Sequence, residues 1–255
     1  MPGQEIPILF YSTIAGLSTL VGIWLMEKKQ QWAVNNSHFV NSFAAGLILS
    51  LAFFHLVPEA GELAGITAFQ AIFAGFFAFF LLENVFVLHS GAEIHYCMDQ
   101  DDLTTSKHLE RKGLMAFSGL AFHSLVDGIV IGVGFEVDPV VGLLAAVAVI
   151  SHEIPEGVTS FALMRMSGME LNTSRYLSVV VALATPAGAV ISLLFLQSLN
   201  DSTIGVLLGL AAGTFVYVAA SDLIPETHEK DNIKNLLAFL VGALLILLIA
   251  AIFAN

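Results

Sequence analysis

Two short stretches, AFHSLVDGIVIG (residues 121–132) and SHEIPEGVTSFA (residues 151–162), place histidines and carboxylates inside otherwise apolar sequence. No lysine or arginine occurs between Gly113 and Met164. An ionised carboxylate inside a hydrocarbon layer is costly unless a proton, water or a cation accompanies it. The two stretches therefore predict a polar site within a membrane-embedded helical bundle.

The rest of the chain has the composition of an integral membrane protein. Of its 255 residues, 57% are hydrophobic and 12% are charged, and the mean hydropathy is +0.85. Soluble domains carry about 25% charged residues. Apolar runs long enough to cross a bilayer lie near residues 7–26, 39–60, 65–89, 113–135, 139–164, 174–198, 202–226 and 234–254. We therefore predict an all-α polytopic membrane protein with eight transmembrane helices, forming a single transmembrane domain over residues 1–255.

The distribution of basic residues predicts the orientation of these spans. All nine lysines and arginines follow the first, third, fifth or seventh span. Basic loops face the cytosol, so both termini are expected to be extracytoplasmic and the segment at about 89–112 cytosolic, in a plasma (inner) membrane. No basic region precedes the first span, which favours a retained helix over a cleaved signal. A net charge of −12 without a basic patch argues against a nucleic-acid partner.

A repeat relates the second and seventh spans. The segments AAGLILSLAFFHLVPEA (44–60) and AAGTFVYVAASDLIPET (211–227) align without gaps. Five helix steps separate the copies, so they run in opposite directions through the membrane, an arrangement that is typical of secondary transporters. The repeat predicts His55 and Glu59 at the outer mouth, and Asp222 and Glu226 at the cytosolic mouth.

The fourth and fifth spans form a second inverted pair, with His-x-x-x-Asp-Gly at 123–128 and His-x-x-x-Glu-Gly at 152–157. Residues four apart share one face of a helix, so His123 pairs with Asp127 and His152 with Glu156 near the bilayer midplane. Glu153 flanks them. If the two faces meet, they form one four-ligand site suited to Zn²⁺, Fe²⁺, Co²⁺ or Mn²⁺, and the absence of thiolate ligands argues against Cu⁺. If either histidine is considered alone, a structural hydrogen bond to a neighbouring helix explains its presence as well as metal binding does.

Three further features accompany this predicted site. Pro155 is expected to break the fifth helix, because an internal proline removes one backbone hydrogen bond. Glu83, His89 and His228 are candidates for the cytosolic exit. The segment 89–112 contains histidines, aspartates and Cys97, and we interpret it as a solvated linker in preference to a metal-binding loop.

With these motifs, the chain resembles the ZIP (Zrt/Irt-like) family of divalent metal transporters, through HSLVDG, HEIPEG and HLVPEA. The resemblance implies metal uptake toward the cytosol, a three-plus-two-plus-three arrangement of helices (spans 1–3 and 6–8 around a central 4/5 pair) and a homodimer. Some members hold two metals, using asparagine and glutamate where this chain has Ser124 and Thr185. A full binuclear site is therefore not expected, although Ser124 and Glu153 could still form a weaker second position.

These observations predict a divalent cation transporter that works by alternating access, with zinc as the first candidate and iron, manganese, cobalt or cadmium as others. The metal is the transported substrate, and no catalytic cofactor is expected. One alternative is an intramembrane zinc metallohydrolase, in which His-Glu-x-x-Glu at 152–156 imitates a zinc-protease helix. A second alternative is a metal-sensing receptor that binds without translocation.

Overall fold

The computed structural model describes residues 3–86, 106–195, 199–227 and 232–253, and every regular element in these ranges is helical. The long helices follow the predicted spans in order. They are α1 (Glu5–Lys28), α2 (Gln30–Ala64), α3 (Ile66–Phe86), α4 (Ser106–Val137), α5 (Pro139–Met166), α6 (Leu171–Phe195), α7 (Asp201–Val218, extended through Ala219–Leu223 and Ile224–Thr227) and α8 (Asn232–Phe253).

The helices have the length and composition of membrane spans. Seven of those in the described ranges are long and apolar enough to cross a bilayer, and α3 adds a shorter apolar segment, Ile66–Leu82. The predicted all-helical, polytopic membrane architecture is therefore confirmed, and the number of crossing helices is seven or eight, depending on α3.

The connection between the first two helices is shorter than predicted. The predicted spans leave residues 27–38 between them, but only Lys29 separates α1 from α2. Backbone bonds continue across it, because Lys29 N–H donates to Leu25 O at 2.7 Å and its own carbonyl accepts from Ala33 at 2.9 Å. The polar residues 30–37 lower the hydropathy but include no proline or glycine, so nothing in them ends a helix.

A single residue, Asp138, likewise connects α4 to α5. Its carboxylate accepts hydrogen bonds from the backbone N–H groups of Val140 (2.7 Å) and Val141 (3.4 Å), and Pro139 begins the helix. An acidic N-cap followed by proline is a strong signal for the start of a helix. The central pair of helices is thus a tight antiparallel hairpin.

The expected break at Pro155 is wrong, since α5 remains α-helical through it. The backbone departs from α-helical geometry in α2 and α7 instead, in π-helical turns at Ala52–Leu56 and Ala219–Leu223. Each turn lies just before a proline, Pro58 or Pro225. A proline lacks the N–H that the preceding turn needs and crowds its carbonyl, and a widened turn accommodates both effects.

Glycines bring α1 against α5 and α4 against α6. A Cβ atom built on Gly22 would lie 2.1 Å from the carbonyl oxygen of Ile154, and one on Gly128 would lie 1.9 Å from that of Thr185. No side chain fits at such distances, so the backbones touch directly. These contacts surround the central hairpin with α1 and α6.

A salt bridge also joins α1 to α6. Arg175 of α6 donates Nε and Nη2 to the carboxylate of Glu27 of α1, at 2.8 and 2.7 Å. This two-pronged geometry fixes both side chains more firmly than a single contact would. The helices α1, α4, α5 and α6 therefore form one closely packed group, which we call the site group.

The remaining helices pack as two pairs, α2 with α8 and α3 with α7. A Cβ atom on Gly46 would lie 2.0 Å from Phe239 O, and one on Gly213 would lie 2.0 Å from Ile72 O. Each pair is therefore joined by the same type of close backbone contact as the site group.

Candidate metal centre

The central hairpin brings four of the predicted ligands together. His123 and Asp127 of α4 and His152 and Glu156 of α5 each offer a ligand atom, and these atoms lie within 4.8 Å of one another. Asp127, His152 and Glu156 are buried, whereas 14% of the His123 side chain is exposed. The cluster is thus almost enclosed, and His123 is its most accessible member.

The closest contacts cross between the two helices. His152 Nε2 lies 2.8 Å from Asp127 Oδ2, and His123 Nε2 lies 3.4 Å from the same oxygen and 3.9 Å from Glu156 Oε2. The predicted pairing of His152 with Glu156 along α5 is therefore replaced by a pairing with Asp127 of α4. Ligands from both helices converge because the hairpin places the two motifs face to face.

When His152 is neutral, one of its two ring nitrogens faces an acceptor and not a hydrogen-bond donor. Its Nδ1 lies 3.0 Å from the carbonyl oxygen of Ala148, which can only accept, so Nδ1 carries the hydrogen. In a neutral ring, the lone pair on Nε2 then faces a carboxylate oxygen of Asp127. A proton or a metal cation between the two atoms removes this repulsion.

Two carboxylate oxygens of the cluster lack hydrogen-bond partners among the described residues. Asp127 Oδ1 and Glu156 Oε2 are both buried and unsatisfied. The other oxygen of Glu156, Oε1, accepts a hydrogen bond from the Ser124 hydroxyl at 2.6 Å. A buried polar atom without a partner costs about 1–3 kcal/mol, so these two oxygens favour the arrival of a cation.

Basic side chains do not fill this need. Within the part of the chain whose side chains are described, no lysine or arginine forms an ion pair with Asp127, Glu153 or Glu156. Arg165, at the end of α5, bonds instead to the carbonyl of Met169.

Glu153 lies beside the cluster but bonds elsewhere. Its Oε1 accepts a hydrogen bond from Thr185 Oγ1 of α6 at 2.5 Å, and its Oε2 is bonded to the hydroxyl of Thr19 of α1. All three side chains are buried. The sequence placed Glu153 next to the ligands but gave no indication of Thr19, because one threonine in an apolar helix has no distinctive pattern.

Aromatic rings from α3 and α7 cover the two histidines. Phe79 packs edge-on against His123 with ring centroids 5.5 Å apart, and Phe215 packs against His152 at 6.3 Å. Neither phenylalanine belongs to the HSLVDG, HEIPEG or HLVPEA motif, and the structure places both at the site. These rings exclude water from one side of the ligands and supply no competing donor.

The residues predicted at the two mouths are only partly described. His55 lies in the π-helical turn of α2, and Glu59 follows one turn later; both are partly buried. The backbones of Glu83, Asp222 and Glu226 are helical, but their side chains lie outside the described part of the chain. His89, His228 and the 89–105 portion of the predicted cytosolic loop also lie outside the described residues.

Comparison with known proteins identifies a family. The family model described as ZIP Zinc transporter matches residues 88–250. The zinc transporter YKE4 of Saccharomyces cerevisiae is 26% identical, over 98% of this chain and 76% of its own length. Mouse zinc transporter ZIP13 is 24% identical, over 90% of this chain and 73% of its own length.

A nematode protein matches a shorter segment more closely. The zinc transporter zipt-7.2 of Caenorhabditis elegans is 33% identical over 135 residues, which is 50% of this chain and 29% of that protein. The segment that matches this chain is less than a third of the length of that relative, whereas the match to YKE4 covers about three quarters of YKE4.

Proposed function

The chain belongs to the ZIP zinc transporter family, and from that premise we propose that it moves divalent metal cations across a membrane toward the cytosol. The observation that carries the proposal is the pair of buried, unsatisfied oxygens, Asp127 Oδ1 and Glu156 Oε2, next to two imidazole rings. Two neutral nitrogens and two carboxylates balance the charge of one dication.

The donor set supports zinc as the first substrate. Zinc accepts four nitrogen and oxygen donors in a tetrahedral arrangement, and the cluster offers four ligand atoms close enough to share one ion. Iron, manganese, cobalt and cadmium are the other candidates. Imidazole and carboxylate ligands bind a metal only after losing their protons, so binding is expected to weaken in acid.

The proposed route begins at His55 and Glu59 on the outer side and passes through the four-ligand cluster. It then continues to the proposed cytosolic exit residues, which are Glu83, His89, Asp222, Glu226 and His228.

The membrane is proposed to be the plasma (inner) membrane, with both termini extracytoplasmic and with the protein acting as a homodimer. The positions of the lysines and arginines in the loops support this orientation.

An inverted repeat of α1–α3 and α6–α8 around the α4/α5 hairpin is part of the proposal. Gly46 contacts Phe239, and Gly213 contacts Ile72. The spacing along the chain from Gly46 to Gly213 equals that from Ile72 to Phe239, and it equals the offset between the two aligned sequence segments. Equivalent residues thus make reciprocal contacts, as an internal two-fold relation requires.

The π-helical turns give independent support to this repeat. Ala52–Leu56 and Ala219–Leu223 occupy the same positions in the two aligned segments. The proposed mechanism is alternating access, in which α4 and α5, with α1 and α6 packed on them, carry the ion past α2, α3, α7 and α8.

The metallohydrolase alternative is not favoured. Its general base would be Glu153, and both oxygens of that residue are engaged by threonine hydroxyls. The relatives are named zinc transporters and not enzymes. A receptor that binds metal without moving it remains the second candidate, and a flux measurement separates it from a transporter.

Uptake of zinc into proteoliposomes that enclose a zinc-sensitive dye tests the proposal. Wild-type protein should accumulate zinc, and both His152→Ala and Glu156→Gln should reduce the rate by at least about tenfold, because each removes a ligand. Glu170→Gln is the matched control, since Glu170 is an exposed carboxylate between α5 and α6.

Other outcomes would contradict the proposal in different ways. Zinc binding without uptake would favour the receptor. Cleavage of a peptide or lipid without metal flux would favour the enzyme.

A further inference from the structure

We propose that Thr19 and Thr185 are positioning residues that set the metal specificity of the site by holding Glu153 out of the coordination sphere. This inference rests on the proposed function, because it concerns which ion the four-ligand cluster selects. It assigns a role to two side chains on helices that contribute no ligand themselves.

The first step is the saturation of Glu153. One threonine hydroxyl bonds to each of its oxygens, Thr185 to Oε1 at 2.5 Å and Thr19 to Oε2. The Glu153 side chain has an exposed fraction of 0%, so water does not compete for these oxygens. By contrast, Asp127 and Glu156 each keep one unsatisfied oxygen in the cluster.

The second step is the rigidity of the two threonines. The carbonyl oxygen of Thr19 lies 2.1 Å from where a Cβ on Gly157 would be, and that of Thr185 lies 1.9 Å from a Cβ on Gly128. Both threonine backbones therefore rest directly on the central hairpin, with no side chain between them. Their hydroxyls are held in place before any metal binds, which is how an outer shell of residues orients a site.

The third step is the proximity of Glu153 to the metal ligands. Glu153 follows His152 in the chain and precedes Glu156 by one helical turn, and Asp127 and His152 are its electrostatic neighbours. If released, its carboxylate would gain by turning toward a bound dication, since a buried carboxylate without partners is costly. The two hydroxyls therefore restrain a fifth ligand that is already nearby.

The chemical consequence is a preference among metals. With Glu153 restrained, the cluster offers two nitrogens and two carboxylates, which suits tetrahedral zinc. An additional carboxylate would raise the number of hard oxygen donors and favour ions such as Mn²⁺, which prefer six oxygen-rich ligands. The threonine pair therefore favours zinc over manganese.

The test compares dissociation constants for Zn²⁺ and Mn²⁺ in the purified, full-length protein, measured by competition with a chelating indicator. Thr19→Val with Thr185→Val removes both hydroxyls and preserves side-chain shape. We expect the ratio of the Mn²⁺ to the Zn²⁺ dissociation constant to fall by about tenfold or more. Thr19→Ser with Thr185→Ser keeps both hydroxyls and should retain the wild-type ratio.

A further substitution links the effect to the carboxylate. Adding Glu153→Gln to the double valine variant should restore the preference for zinc, because an amide is a much weaker ligand. X-ray absorption of the zinc-loaded proteins provides a direct readout, with one additional oxygen donor expected in the double valine variant. Loss of packing alone would not add a ligand.

The outcomes separate this inference from the proposed function. If wild-type protein binds neither metal, the proposed function fails. If wild-type protein binds zinc and a folded double valine variant keeps both the wild-type ratio and the wild-type coordination number, only the inference fails. Should the double variant not fold, the single variants Thr19→Val and Thr185→Val, each freeing one oxygen, must shift the ratio in the same direction, and an unchanged ratio would overturn the inference.

Discussion

At the scale of single residues, hydroxyl groups decide which carboxylate oxygens remain available to a cation. Ser124 satisfies one oxygen of Glu156 and leaves the other facing the histidines. Two threonines satisfy both oxygens of Glu153. Three neutral side chains thereby direct the ligands without adding charge to a site that is already acidic.

Ser124→Ala should weaken zinc binding by about tenfold, because Glu156 loses the hydrogen bond that orients its free oxygen. Isothermal titration of the purified protein with zinc measures the change. Ser118→Ala is the control, since Ser118 lies on the exposed side of the same helix and bonds only to a backbone carbonyl. Equal zinc affinity in the Ser124→Ala variant and the wild-type protein would contradict the proposed orienting role.

The four ligands of the cluster could be predicted from sequence because their spacing has a direct geometric meaning. Histidine and carboxylate four residues apart share a helix face, and His123, Asp127, His152 and Glu156 do come together. The contact between His152 and Asp127 could not be predicted, because the rotation of one helix against another depends on packing. Thr19 was missed for the same reason, since its partner lies far away in the chain.

At the scale of helices, glycines determine how closely the site group packs. Gly128 allows α4 to touch the backbone of α6 at Thr185. Any side chain there would separate the two helices and displace the hydroxyl that binds Glu153. The glycines that end the HSLVDG and HEIPEG motifs therefore belong to the architecture of the site as well as to its sequence signature.

Gly128→Ala should destabilise the protein by about 1–3 kcal/mol and weaken zinc binding, because the new Cβ would lie 1.9 Å from Thr185 O. The apparent melting temperature in detergent, with and without zinc, measures both effects. Gly61→Ala is the control, because its nearest neighbours are atoms of the Phe69 ring at 3.8 and 3.9 Å. A melting temperature equal to that of wild type would show that α4 and α6 need not touch.

Helix existence was easier to predict from sequence than helix shape. Runs of apolar residues fixed the position of each span, since burial in lipid requires them. The prolines were harder to interpret, because Pro155 leaves α5 intact while widened turns precede Pro58 and Pro225. Whether a proline kinks a helix depends on whether the groups packed around it can replace the lost hydrogen bond. The local sequence does not show which groups these are.

At the scale of the whole molecule, the proposed orientation can be tested with single cysteines. In a Cys97→Ser background, Asp201→Cys should react with a membrane-impermeant maleimide on intact cells, and Glu170→Cys should react only after permeabilisation. Both residues are exposed at helix ends, and the positive-inside rule places them on opposite sides. The reverse pattern would invert the proposed topology, and the direction of transport with it.

The one-residue link at Lys29 limits how far α1 can move relative to α2 during the proposed alternating-access motion. Two steps of about 3.8 Å separate the Cα atoms of Lys28 and Gln30, so these ends can never be more than about 7 Å apart. If α1 travels with the site group while α2 stays in place, the end of α1 at Lys28, which is cytosolic in the proposed topology, is tethered and only its other end can swing widely. Such a helix rocks about a pivot at Lys29 instead of sliding along the membrane normal.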